Sequence, residues 1–323
     1  MARPAVNRWV ARRLAGMLPT LLGITFVAFV VARAAPGDAL AMQGDALRAG
    51  SAIHEQVREY RRLMGLDDPL LPGYLRWLGQ FLRGDLGSSF RDGRPVLVLL
   101  GAALPVTLLL SLPALLLGYL LAVPIGIVSA AKPGGLLDRV ASTLVFILYA
   151  LPLQWVALLL VVWSGGAPIH GLHSEGSSSF LDLLAHLVLP LICLTYGSLA
   201  VISRYLRSSM LEQMSQDYVR TARAKGLPER AVILRHVLPN SLLSLITLFG
   251  LAFPALASGA VIVERVFGLP GMGMLTFDAV LGRDVPVLMG VVTVAGLVTM
   301  LAMLVSDLLY AAADPRISFG GPR

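Results

Sequence analysis

LLGAALPVTLLLSLPALLLGYLLAVPIGIVSAA, residues 99–131, carries no charged side chain in its whole length. A bilayer core takes about 20 consecutive apolar residues per helical span, and this stretch exceeds that. Its apolar residues are continuous rather than alternating, which excludes the strands of a closed barrel and leaves the helix as the form that satisfies its own backbone in lipid. Working outward, five further runs of the same kind occupy residues 14–32, 140–163, 183–202, 242–263 and 285–309. The chain as a whole is 56% hydrophobic and 14% charged, with a mean hydropathy of +0.77, outside the range of ordinary globular domains. The expected fold class is an all-α polytopic membrane protein with six transmembrane helices. The first run follows Arg3, Arg8, Arg12 and Arg13. It is too long for the apolar region of a signal peptide, and the RAAPGD after it is a weak cleavage site, so it reads as a retained span.

The formal net charge of +7 is accounted for by topology. Of the 26 Lys and Arg, 15 fall in the segments that lie inside if the N-terminus is cytoplasmic, and 2, Arg265 and Arg283, fall in the two short outer loops. The remaining 9 sit in the long first loop, a length at which loop charge has little say in orientation. Both termini are therefore expected in the cytoplasm of a multi-pass cell-membrane protein, and a nucleic-acid role has no remaining support. The single cysteine, Cys193, lies within the fourth run. It reads as a small buried apolar residue and excludes an intrachain disulfide.

The first outer loop, residues 33–98, is too long for a simple connector. HEQVREYRRLMG, residues 54–65, predicts a polar helix ended by Gly65, and Pro69 or Pro72 opens a second. In that second helix Leu71, Leu75, Leu78 and Leu82 share a face, joined by Tyr74, Trp77 and Phe81. It suits a helix that packs on the spans or lies at the membrane surface. Pro105, Pro113 and Pro124 in the second run, and Pro152, Pro190 and Pro254 in others, predict bent helices, as a central path would use. The domains expected are 1–101, a span with its structured outer loop; 102–311, the core of the remaining spans; and 312–323, a cytoplasmic tail.

Several absences narrow the function. No Asp, Glu, Lys or Arg lies near the middle of a run, whereas ion-driven carriers normally need such groups. The only lysines are Lys132 and Lys225, and no G-x-x-x-x-G-K-[ST] occurs, so no P-loop is available. The chain itself is expected to be no enzyme and to bind no cofactor. His170 and His173 form an HxxH without acidic or cysteine ligands at metal spacing, so no metal site is expected. His186 reads as hydrogen-bonded between helices.

Residues 215–240 carry a different kind of signal. Asp217 to Lys225 predicts a short helix with Asp217 and Lys225 at the ends that suit their charges. Gly226 supplies a left-handed stop, and Pro228 and Glu229 open a second helix expected to halt at Pro239. Basic residues beside a span serve orientation and anionic headgroups, but a tight turn would connect two spans with far fewer residues. Small Ala222 and Ala224 predict a partner whose cleft closes around the first helix.

Gly226, nine residues and then HVLP resembles the signature loop of ABC importer permeases, whose general form is EAA, three residues, Gly, nine residues, I-x-L-P. Arg220 and Thr221 stand where that pattern has Glu and Ala, and His236 where it has Ile. QDYVRTARAKGL with RHVLPN is similar instead to the dipeptide/oligopeptide/nickel branch. APGD at 35–38, MGLDDP at 64–69, YLRWLGQFLRGDLGSSF at 74–90, VERVFGLPGMG at 263–273 and SDLLYAAADPRI at 306–317 agree. Within that branch the chain looks like the first permease subunit, the one with the long outer loop.

The resemblance implies the type I ABC importer permease fold and an ATP-driven importer of dipeptides or short oligopeptides. Its partners would be a homologous second permease, two ATPase subunits that bind ATP and Mg, an external substrate-binding protein and membrane lipid. The coupling helix would be Asp217, Tyr218, Arg220, Thr221, Ala222, Arg223, Ala224 and Lys225, with Gly226, His236 and Pro239 completing the segment. Small polar residues are expected along the path: Thr107, Ser111, Tyr149, Gln154, Tyr196, Thr247 and Ser258. An external gate is expected at Glu264, Arg265, Pro270, Gly271, Gly273 and Asp284. Nickel complexes, glutathione or another small solute remain alternative cargoes, and a non-transporting membrane receptor or scaffold is the alternative of another class.

Overall fold

The computed structural model of the chain describes residues 3–34, 62, 68–165, 170–177 and 179–313. Apart from Arg62, the helix expected at residues 54–65 lies outside the described residues. Among them the regular structure is helical: α1 (Arg3–Ala34), α2 (Leu70–Leu82), α3 (Val96–Ala131), α4 (Leu136–Ala150), α5 (Leu153–Trp163), α6 (Phe180–Met214), α7 (Asp217–Ala224), α8 (Glu229–Val232), a π turn (Ile233–Val237), α9 (Leu238–Ser258), α10 (Val261–Val266), α11 (Met272–Leu281) and α12 (Val285–Ala313). Among the described residues five helices are long and apolar enough to cross a membrane, and six spans result if α4 and α5 are one broken span.

The six runs are thus helical, and three features of their form bear on the bends expected at their prolines. First, α3 runs unbroken through Pro105, Pro113 and Pro124. Each proline removes one N–H, but in lipid a further interruption would strand more backbone groups than it relieves. Second, residues 140–163 do bend at Pro152, as expected, but so sharply, by 93° at Leu151–Pro152, that they form two helices. Leu151 is extended (φ −75°, ψ 123°), as a residue before proline tends to be. Third, the fifth run divides between α9 and α10, and Gly259 between them has a φ of 85° that favours glycine.

The chain forms two compact units, Met1–Thr107 with Ala257–Val261 and Pro270–Met300, and Leu108–Leu256 with Ile262–Leu269 and Leu301–Arg323. In the first, α2 turns its aromatic side inward. Tyr74 and Trp77 are buried with Phe29 and Met289, and Phe26, Phe81 and Phe90 pack around them. Tyr74, Trp77 and Phe81 form a stacked series with centroids 6.2 and 5.7 Å apart. The Tyr74 hydroxyl donates to the Leu22 carbonyl at 3.0 Å and meets Thr25 Oγ1 at 2.9 Å. Leu71, Leu75 and Leu82 point outward instead. The expected face was therefore drawn too wide: the aromatics face the protein, and three of the four leucines form the outer side of an amphipathic helix.

In the second unit, α4 and α5 both pack on α6. Its core gathers Ala122 and Ala130 of α3, Ile202, Leu206 and Met210 of α6, and Leu245 of α9. Close approach between α3 and α6 depends on small residues, as in membrane helix pairs generally. A Cβ on Gly126 would lie 2.9–3.0 Å from the Leu206 side chain. His186 bonds not between helices but within α6, its Nδ1 lying 2.8 Å from the Asp182 carbonyl.

Gly126→Ile should destabilise the solubilised protein by about 1–3 kcal/mol through overpacking, read as a lowered midpoint in thermal unfolding. Gly101→Ala, where an added Cβ meets nothing within 4 Å, should leave that midpoint unchanged or slightly raised.

Candidate functional site: the hairpin between α6 and α9

Three local choices in the sequence shape this hairpin. Asp217 sits in the first turn of α7, where the dipole favours an acid. Gly226, with a φ of 77°, reverses the chain in a conformation that costs other residues energy, and a Cβ there would meet nothing within 4 Å. Pro228 caps α8 and leaves no unpaired N–H of its own. Arg223 and Glu229 then close the reversal with a bidentate pair at 3.1 and 2.7 Å. Both are substantially exposed, so the pair adds little stability, and the hydrogen bond to Glu229 pushes the Arg223 pKa up from its ordinary value.

The second helix does not halt at Pro239 as expected. It widens into the π turn, in which the Leu238 N–H reaches back five residues to the Ile233 carbonyl, and runs on as α9. The wide turn lets Pro239 enter the helix without a stop. The hairpin is therefore helically continuous with the fifth span.

One face of α7 is fixed in the protein. Val219 and Ala222 are 0% and 5% exposed and pack with Met210, Val232, Ile233 and Val237. Ala222, expected to face a partner, is thus part of the chain's own core: at helical spacing it lies one turn from Val219. Asp217, Tyr218, Arg220, Thr221, Ala224 and Lys225 form the exposed side, while His236 is half-buried and Pro239 exposed. The Tyr218 hydroxyl donates to Gln213 Oε1 at 2.7 Å and accepts from Asn240 Nδ2 at 3.2 Å. That links both ends of the hairpin to the spans that carry it.

The residues expected on a path fall into different settings. Thr107 is buried and accepts the Met272 N–H at 2.7 Å, which caps α11. Ser111 is buried in α3. Thr247 is exposed and bonds back within α9 to the Leu243 carbonyl at 3.4 Å. The side chain of Ser258 lies outside the described residues. Tyr149, Gln154 and Tyr196 come to the α4–α5 break. The Tyr196 hydroxyl donates to the Leu151 carbonyl at 3.0 Å, Tyr149 and Gln154 are exposed on either side, and the Arg204 guanidinium lies 5.2 Å over the Tyr149 ring.

The gate residues divide between the units. In the first, Gly271 and Gly273 are buried, Pro270 is exposed, and the 3%-exposed Asp284 accepts from Ser89 Oγ. In the second, Glu264 is buried and Arg265 exposed, and the Glu264 carbonyl accepts the Leu269 N–H at 2.8 Å. His173 does find an acid: its Nδ1 lies 3.1 Å from Asp182 Oδ2. No group of three or more His, Cys, Asp or Glu suited to a metal occurs among the described residues.

Sequence reasoning missed an ion pair between a buried carboxylate and a half-buried guanidinium, because its members stand just beyond the ends of the apolar runs. Asp138 in the first turn of α4 receives Arg207 Nε at 2.7 Å and Nη2 at 2.9 Å, the Ser129 hydroxyl, the Gly134 N–H at 2.8 Å and the Ser142 hydroxyl at 3.2 Å. A carboxylate so fully bonded ties the α3–α4 turn to α6.

These elements define a polytopic helical membrane protein: apolar spans, a broken span, and an exposed two-helix hairpin seated in the core. Residues 122–319 match the binding-protein-dependent transport system inner membrane component, and the chain belongs to that family. It is 38% identical to the oligopeptide transport system permease protein AppB of Bacillus subtilis (strain 168), over 96% of this chain and 99% of that one. It is 37% identical to the probable D,D-dipeptide transport system permease protein DdpB of Escherichia coli (strain K12), over 95% and 96%. Among solved structures, the inward-facing MetNI methionine ABC transporter matches with a TM-score of 0.53 at 20% identity, over 67% of this chain and 96% of that one. The fold is that of type I ABC importer permeases.

Removing Asp138 leaves the half-buried Arg207 guanidinium and the buried Ser129 hydroxyl without their acceptor. Asp138→Ala should cost about 1–3 kcal/mol in equilibrium unfolding of the purified protein, and pairing it with Arg207→Leu should return part of that loss.

Proposed function

We propose that the chain is a permease subunit of an ATP-driven importer of dipeptides or short oligopeptides, with α7 as the element that engages an ATPase subunit. The observation that carries this reading is the two-sided build of α7. Val219 and Ala222 fix it in the core, while Tyr218, Arg220, Thr221, Ala224 and Lys225 are left outward. A rigid seat under a polar face suits a docking element better than a linker does. The partners are a homologous second permease, two ATPase subunits that bind ATP and Mg, and an external binding protein that delivers cargo. The peptide cargo is supported by the kinship with the oligopeptide and dipeptide permeases. The charge distribution supports cytoplasmic termini, with α7 on the same side.

In this mechanism, closure of the ATPase dimer moves α7, and the motion passes through the packing of Val219 and Ala222 on Val232, Ile233 and Val237 into α8 and the π turn, which run on into α9 as one continuous helix. A packed bundle responds by switching between discrete arrangements rather than by bending continuously. The domain division at 102–311, the path residues at the α4–α5 break and the gate around Glu264 to Asp284 belong to the same proposal.

Gly226→Val places a β-branched residue at a φ of 77°, at a cost of at least about 1–2 kcal/mol. Substrate-stimulated ATP hydrolysis by the reconstituted complex should fall severalfold while the chain still inserts in the membrane. Unchanged stimulation would remove α7 from the coupling role.

A further inference from the structure

Arg204 lies two residues beyond the apolar run 183–202, yet α6 continues past it to Met214. Tyr196 and Arg207 are eleven residues apart, which at about 100° per residue puts them on one face of α6. That face meets α4: Arg207 holds Asp138 in the first turn of α4, and Tyr196 bonds the Leu151 carbonyl at its end. Arg204, one turn before Arg207, sits on the flank of that face and is exposed, with its guanidinium over Tyr149.

Asp138 and Tyr149 are themselves about three turns apart on α4. Two guanidiniums that leave α6 one turn apart therefore meet α4 three turns apart. Arg207 is held near the end of the span, and Arg204 is directed along α4 toward the break. A basic side chain near the end of a span normally turns outward to the headgroups; this one turns the other way. No carboxylate among the described residues lies within ion-pair distance of it. An exposed guanidinium so placed is costly against hydrocarbon, so its position calls for polar surroundings.

We propose that Arg204, resting on the Tyr149 ring, is a carboxylate-binding subsite on the translocation path that takes the C-terminal carboxylate of a passing peptide. The inference rests on the peptide-importer reading above. A path that admits many side chains must recognise what all peptides share, and the terminal carboxylate is the one anion common to them. The planar fork of arginine matches a carboxylate with two parallel hydrogen bonds. Tyr149 holds the cation by its π face and leaves the N–H edges for the ligand. One exposed cation binds briefly, as passage requires.

The test uses the assembled transporter in liposomes, with a dipeptide and its C-terminal amide each supplied at a concentration that saturates the binding protein. The wild-type complex should carry the free acid faster than the amide. Arg204→Gln should slow the acid by about tenfold or more with little effect on the amide, so that the ratio of the two collapses, and Arg204→Lys should recover most of the ratio. An unchanged ratio in Arg204→Gln, or equal loss for both peptides, would overturn the subsite and make Arg204 a residue that holds the protein together. Uptake of neither peptide by wild type would defeat the peptide reading itself, and the subsite with it.

Discussion

A bilayer offers no hydrogen-bond partner to a freed backbone group, and each one left unsatisfied there costs several kcal/mol. That constraint organises the spans. The helix α3 runs through three prolines rather than stopping at any of them, and α6 likewise contains Pro190. Where a span does break, the protein answers the break. At Leu151 the chain turns by 93°, and the Tyr196 hydroxyl of α6 supplies the carbonyl with a donor. At the start of α11 an acceptor is needed instead, and Thr107 receives the Met272 N–H.

The same constraint explains why the polar groups of the spans come in closed sets. Asp138 is nearly fully buried and holds five hydrogen bonds from Arg207, Ser129, Gly134 and Ser142. Asp284 in the first unit is similarly engaged by Ser89. Arg204 departs from this rule, since its guanidinium rests on an aromatic face rather than on an anion. Beyond the spans the constraint lapses, and the hairpin uses water-tolerant devices: a left-handed glycine, an exposed ion pair and a polar outer face. Its inner face still obeys core packing through Val219 and Ala222.

Much of this was legible in the sequence. Continuous apolar runs gave the helices and their number, and Gly226 with Pro228 gave the hairpin, because a positive φ and a missing N–H are properties of single residues. What the sequence did not give was direction. Ala222 looks like a contact residue until Val219 shows which face of α7 is buried. The Pro239 stop failed because a π turn, which has no local residue signature, absorbs the proline. Leu71, Leu75 and Leu82 look like a packing face until the aromatics of α2 take the inner side. Arg204, Arg207 and Asp138 carry no signal in the apolar pattern because they stand outside the runs, while the helices that carry them extend well past those runs.

The central claim is that the outer side of α7 is a docking surface on a seat held by the permease core. Thiol labelling at Thr221→Cys and Ala224→Cys tests it most directly. Cys193 is buried, 1% exposed, and is replaced by serine to leave each new thiol alone. Both positions should label readily in the isolated permease pair and become shielded at least tenfold when the ATPase subunits are added, while Lys132→Cys on the α3–α4 turn, as a reference, keeps its rate. Equal labelling of Thr221→Cys and Ala224→Cys with and without the ATPase subunits would contradict the account.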